Sequence, residues 1–179
     1  MRTLSRFSLA ICATLATASA MAQAPAAAPA PGALPPAPPR ARGPEMALAV
    51  EAAQTAIAVC LANGYKTTAT VVDSAGVPVV MLSSDGAAER TQMIGLTKTA
   101  ATIKYKVPSG DIADRAKTDA ALDAEMMADP KIGTARRGAL PIKVGGEIIG
   151  AMSVSGAPGG DKDQVCAQAG LDKIASRLK

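Results

Sequence analysis

Residues 138–160 read GALPIKVGGEIIGAMSVSGAPGG, and this stretch decides the fold. Ala139 to Val144 and Glu147 to Ser155 are two strand-like runs, and the Gly145-Gly146 pair between them permits the positive φ angles of a tight hairpin turn. The second run is nearly continuous apolar, which predicts a central strand. Ser155 to Gly160 follows as a small-residue loop. Asp161 then opens a helix in which Ala167, Leu171, Ile174 and Leu178 form the buried stripe and Asp161 or Asp163 serves as cap.

Upstream, Thr67 to Val72 alternates and is β-branched, Asp73-Ser74-Ala75-Gly76 is a turn signal, and Val77 to Leu82 is apolar with Pro78 near its start. This predicts a first hairpin whose second strand lies at an edge or a strand end, because proline cannot donate to a ladder. A helix precedes it. Between Glu45 and Asn63 the residues Met46, Ala49, Val50, Ala53, Ile57, Cys60 and Leu61 recur at three- and four-residue steps, and Gly64 follows as a terminator. Glu89 to Lys106 predicts a second helix with Met93, Leu96 or Thr97, Ala100 and Ile103 on one face, ended by Pro108. Asp111 to Ala128 predicts a third, polar and on the surface. Two hairpins, each followed by a Gly-Ala loop (Gly86-Ala87, Gly156-Ala157) and a helix, predict an α+β fold with one mostly antiparallel sheet covered by helices.

Charge and composition narrow the function. The chain of 179 residues carries 19 Lys+Arg against 15 Asp+Glu, but Arg2, Arg6, Arg40 and Arg42 precede residue 45 and no acid does. The stretch Glu45 to Lys179 is therefore neutral, which removes the electrostatic case for nucleic-acid binding. There is no His, so neither a Ser-His-Asp nor a Cys-His nucleophile pair is available, nor a histidine-ligated zinc or haem. No paired-carboxylate spacing argues for acid/base catalysis, since Asp73, Asp85 and Asp129 sit where short acids bond local backbone. Alanine accounts for 40 residues, so the core must pack small side chains closely.

The first 22 residues read as a secretory signal. Two arginines precede an apolar run from Phe7 to Ala18, and Ala20-Met21-Ala22 supplies the small-residue site that puts cleavage before Gln23. The run is too short for a stable membrane span, although an uncleaved anchor is the alternative. Residues 23–44 form a tether, with eight of the 13 prolines between Ala24 and Pro44. Residues 45–179 are then one domain, expected in the periplasm or outside the cell.

Taken in order, the first helix, the hairpin Y-x-x-x-A-x-V-V-D-x-x-G-V-P-V-V (Tyr65 to Val80), the D-G-A loop, the lysine-bearing helix, the run Gly138 to Gly160 and the helix D-x-x-C-A-Q-A-G-L-D-x-I (Asp163 to Ile174) resemble the GlcG/HbpS family of haem-binding-protein-like domains. The resemblance covers essentially residues 46–178. It implies a profilin-like fold with about five antiparallel strands, assembly into homo-oligomers, and haem or a related tetrapyrrole as ligand; the run Thr134 to Arg137 is the candidate for the short fifth strand. Family members often carry Lys-Ala-x-Thr-Ala on the second helix. Here the run is Lys98-Thr99-Ala100-Ala101-Thr102, so the lysine matches and Ala101 replaces the threonine.

Candidate ligand-binding residues are Lys98, Met93 and Tyr105, a cation, a thioether and a phenol spaced along the second helix, and the strongest axial ligands open to a chain without imidazole. The alternative is a core methionine beside a solvated lysine. Met126-Met127 is a further soft-ligand pair, or a packing contact. Arg136-Arg137 suits propionates or acids of a neighbouring subunit, or is a solvated pair. The backbone of Gly156 to Gly160 either receives an anion or simply connects strand to helix; it lacks the G-K-[ST] of a phosphate loop. Signal removal leaves Cys60 and Cys166, an even pair in an oxidising compartment. In a profilin-like arrangement the helices bearing them share one side of the sheet, which predicts a disulfide; two separately buried thiols are the alternative. The sequence leads to a tetrapyrrole-binding protein for sequestration or sensing, against a ligand-free structural or signalling module of the same fold.

Overall fold

The computed structural model describes residues 41–179, so the signal sequence and nearly all of the tether lie outside the described residues. The elements run α1 (Met46–Ala62), β1 (Thr68–Asp73), β2 (Pro78–Ser83), α2 (Arg90–Tyr105), α3 (Ser109–Ala116), α4 (Ala120–Ala128), β3 (Ala139–Val144), β4 (Glu147–Ser155) and α5 (Gly160–Ile174), with a short 3-10 turn Ala175–Arg177. Two hairpins join through β1 and β4 into one antiparallel sheet of order β2-β1-β4-β3. Among the described residues the sheet has four strands. Residues 134–137 form no strand; there Arg137 is held by its side chain to Asp114 and Asp161.

Both hairpins follow their turn chemistry. The Asp73 carboxylate accepts the backbone N–H groups of Ala75 and Val77, each at 2.9 Å, closing the first turn on itself. Gly145 and Gly146 have φ of 55° and 86°, the left-handed values a tight turn between right-twisted strands requires. β4 lies between β1 and β3 and is buried from Ile149 onward, as its apolar run predicts. Pro78 begins the edge strand β2, where its missing donor costs no ladder bond.

One sheet face carries Ala69, Val71, Leu140, Met152 and Val154 and packs against α1 and α5. There α1 buries Ala49, Ala52, Ala53, Ala56 and Cys60, whereas Met46 and Leu61 are 69% and 47% exposed. The alanine side wins because α1 lies almost backbone to backbone on α5: a Cβ on Gly170 would stand 2.5 Å from the Ala52 carbonyl oxygen. The predicted bridge between these two helices is formed, Cys60 to Cys166, with Cα atoms 5.7 Å apart.

The other face is rich in hydroxyls and receives α2. Thr68 shares a hydrogen bond of 2.7 Å with Thr91, and Ser153 donates to the Gly95 carbonyl at 2.9 Å. The buried side of α2 is accordingly Thr91, Gly95, Lys98, Thr99, Ala101 and Thr102, which corrects the expected apolar face. A polar sheet face selects the polar helix side, where the Thr68–Thr91 and Ser153–Gly95 bonds satisfy part of the buried hydroxyls, while those of Thr70 and Thr102 have no hydrogen-bond partner among the described residues. The expected single helix from Asp111 to Ala128 is two. Asp119 accepts the Leu122 N–H at 3.0 Å and starts α4 afresh, which lets Ile112, Leu122 and Met126 gather with Ala101 and Ile132 into a second small core.

Candidate functional site

At the C-terminal end of β4 the chain buries an ion pair. Lys98, on the inner side of α2, donates to Asp163 Oδ2 at 2.7 Å and to the Val154 carbonyl at 2.8 Å. Their side chains are 3% and 5% exposed. The second oxygen of Asp163 accepts the Ala157 N–H at 2.9 Å, so one carboxylate ties α2 and the loop ahead of α5 together. Neither Asp161 nor Asp163 caps α5, contrary to expectation. Gly159 is the N-cap, Asp163 is turned inward and Asp161 pairs with Arg137 at 2.8 Å.

Burial works against both members of the pair. It lowers the Lys98 pKa, against the pull of Asp163, and the nearby positive charge of Arg136 lowers it further. It raises that of Asp163, against the opposing pull of Lys98 and of the Ala157 N–H. Room for the pair depends on Gly138, whose φ is 127° and whose hypothetical Cβ would lie 2.7 Å from Lys98 Nζ.

Above the pair opens a cleft of about 380 Å³, lined by Lys66, Arg90, Thr91, Ile94, Arg136, Arg137 and the loop from Ser155 to Gly160. Asp163 is its single acidic lining residue. Arg137 is engaged by Asp114 and Asp161. Lys66, from the α1–β1 connection, Arg90, the first residue of α2, and Arg136, ahead of β3, have no carboxylate partner among the described residues; Arg136 donates only to the Thr134 carbonyl, at 3.2 Å. Such an arrangement has the chemistry to attract anions such as carboxylates or phosphates.

Of the three predicted ligand-binding residues, Lys98 alone lines this cleft. Five residues at about 100° each place Met93 about 140° round the helix from Lys98, and it is 67% exposed. Tyr105 lies two turns beyond Lys98, where it packs on the second core and donates to Glu125 at 3.0 Å. The structure therefore does not bring the three together. Met126 is fully buried in that same core and Met127 is exposed. Sequence reasoning passes over Lys66 and Arg90 and offers Asp163, with Asp161, only as a helix cap; the special backbone angle expected of Gly138 is present. The only local signal for Asp163 was its place one turn into a helix after a glycine-rich loop. Its partner is 65 positions away. Among the described residues no cluster of three or more metal-ligating side chains occurs.

Fold and cleft together define a small α+β domain with a cleft lined by cations. The model of the family described as haem degrading protein, HbpS-like, matches residues 45–172, and the chain belongs to that family. A double mutant of Streptomyces reticuli HbpS is similar at 27% identity with a TM-score of 0.67, covering 84% of this chain and 99% of that one. The Klebsiella pneumoniae protein ORFY shares the fold at 22% identity and a TM-score of 0.70, covering 82% and 100%. PduOC, solved as a complex with haem, shares it at 16% identity and 0.66, covering 74% and 94%. Comparison with the curated proteins returns no match.

Proposed function

We propose that this protein is an exported binding protein that takes haem or a related tetrapyrrole for sequestration or sensing, docking the propionates in the cationic cleft. The observation that carries the reading is the convergence of Lys66, Arg90 and Arg136, unpaired by acids among the described residues, around one concavity. Membership of the HbpS-like family and the haem complex of a protein with the same fold support it. The residues suit the acid groups of the ligand: guanidinium and ammonium donors bind carboxylates through short charge-assisted hydrogen bonds. Export rests on the Arg2/Arg6, Phe7 to Ala18 and Ala20-Met21-Ala22 pattern, and an intact mass starting at Gln23 is its check. Homo-oligomerisation is part of the proposal through the family and is read by light scattering.

Haem titration followed by the Soret band tests the binding. Arg136→Glu is expected to weaken uptake by about tenfold or more, since a charge-assisted hydrogen bond contributes about 1.5 kcal/mol or more. One observation favours the second reading, a ligand-free module: Lys98 is locked to Asp163, and Met93 and Tyr105 point to other surroundings. Wild-type protein that takes up no haem at micromolar concentration decides for that module.

A further inference from the structure

Resting on the tetrapyrrole reading, we propose that the cleft recognises carboxylate groups and not a metal, so that a metal-free porphyrin binds as tightly as haem. Three features on separate parts of the chain lead there. The domain from Glu45 to Lys179 is neutral, yet Lys66, Arg90 and Arg136 bring unpaired positive charge to one cleft from three segments far apart in sequence. Mutual repulsion of such a group is relieved by an anion, and two of these side chains engage two carboxylates at once. Second, the donors a metal would need are elsewhere. The one amine at the floor, Lys98, is closed off by Asp163 and the Val154 carbonyl, while the Met93 thioether faces solvent and the Tyr105 phenol is bonded to Glu125. Cys60 and Cys166 are joined to each other, and the sequence has no histidine. Third, the loop beside the cations is held in place from beneath. Asp163 fixes Ala157, and a Cβ on Gly156 would meet the Lys66 carbonyl oxygen at 2.5 Å, so loop and Lys66 backbone are seated against each other. The Lys66 backbone is thus seated on a fixed loop, which lowers the ordering cost of binding at that cation.

The shared chemistry, paired carboxylates, is offered both by tetrapyrrole propionates and by small dicarboxylic acids. The test therefore titrates the full domain with haemin, protoporphyrin IX, protoporphyrin IX dimethyl ester and succinate, followed by fluorescence or calorimetry. Haemin and protoporphyrin IX are expected to bind within about threefold of each other. The diester is expected to bind about 100-fold more weakly, at about tenfold for each charge-assisted anchor lost. Arg136→Gln and Arg90→Gln, both at exposed positions, should each weaken the two free acids about tenfold while the melting temperature stays that of the wild type. Haemin bound more than tenfold tighter than protoporphyrin IX overturns the inference, as does a diester that binds like the free acid. Succinate binding that is lost in Arg136→Gln, with no porphyrin bound, upholds carboxylate recognition and removes the tetrapyrrole reading. Failure of all four ligands removes both.

Discussion

Replacing Lys98 by Met takes the cation from a carboxylate that stays buried. The wild-type lysine makes two hydrogen bonds, 2.7 Å to Asp163 and 2.8 Å to the Val154 carbonyl, in a site where both side chains are nearly inaccessible. Breaking a buried pair from one side costs about 3–5 kcal/mol, because the remaining charge keeps its desolvation penalty and loses its compensation. Against a total stability of about 5–15 kcal/mol, this is a large fraction. Adding Asp163→Asn in the same chain removes the stranded charge and retains an oxygen for the Ala157 N–H. The double variant is therefore expected to recover most of the loss and lie within about 1.5 kcal/mol of the wild type. Urea unfolding of the four proteins of this cycle measures it.

The pH dependence has a definite sign. In the wild type burial already raises the Asp163 pKa, and Lys98 opposes that rise. Without Lys98 the folded carboxyl moves further above its unfolded value of 3.8. The folded state then holds the proton more tightly than the unfolded chain. The penalty in Lys98→Met is thus full at pH values above the folded pKa, is relieved as pH falls through it, and is gone below the unfolded pKa. The deficit relative to wild type should be larger at pH 7.5 than at pH 5. A Lys98→Met variant that loses less than about 1 kcal/mol, or a double variant as unstable as the single one, refutes this account of the pair.

Reduction of Cys60–Cys166, which spans 106 positions, should destabilise the domain by up to about 4.7 kcal/mol in the chain-entropy view; thermal melts with and without reductant measure it, and unreduced denatured protein should show no alkylatable thiol. Gly138→Ala places a Cβ against Lys98 Nζ and the Val154 carbonyl at a φ of 127°, and should cost about 1–3 kcal/mol or more by urea unfolding. Asp119→Ala removes the N-cap of α4 and should cost about 1 kcal/mol, read in the same assay, with faster amide exchange across Ala120 to Asp123.

Much of this protein is local in origin and was legible as such. The Gly145-Gly146 turn, the Asp73 turn, the edge position of Pro78 and the central place of β4 each follow from the residues that form them, because φ preferences and missing donors act within a few positions. The Cys60–Cys166 bridge is expected from an even cysteine pair together with the helix placement that the family resemblance implies, and α1 and α5 do lie together on one face. The face of α2 was misread because apolar periodicity assumes an apolar neighbour, and here the neighbour is a sheet face of Thr68, Thr70, Ser153 and Ser155. The break at Asp119 was missed because a cap and a continuing polar helix look alike until something must be buried on either side.

By itself the sequence determined the two hairpins, the α+β class, the neutral charge of the domain and the absence of imidazole from any site. Only the tertiary structure decided that Asp163 faces Lys98 rather than capping a helix, that Met93 and Tyr105 stand apart from it, and that Lys66, Arg90 and Arg136 share one cleft. The physical reason is distance along the chain. A turn or a strand is set by interactions among neighbours, whereas an ion pair across 65 positions and a cleft assembled from residues 66, 90 and 136 exist only once the sheet has brought those segments together.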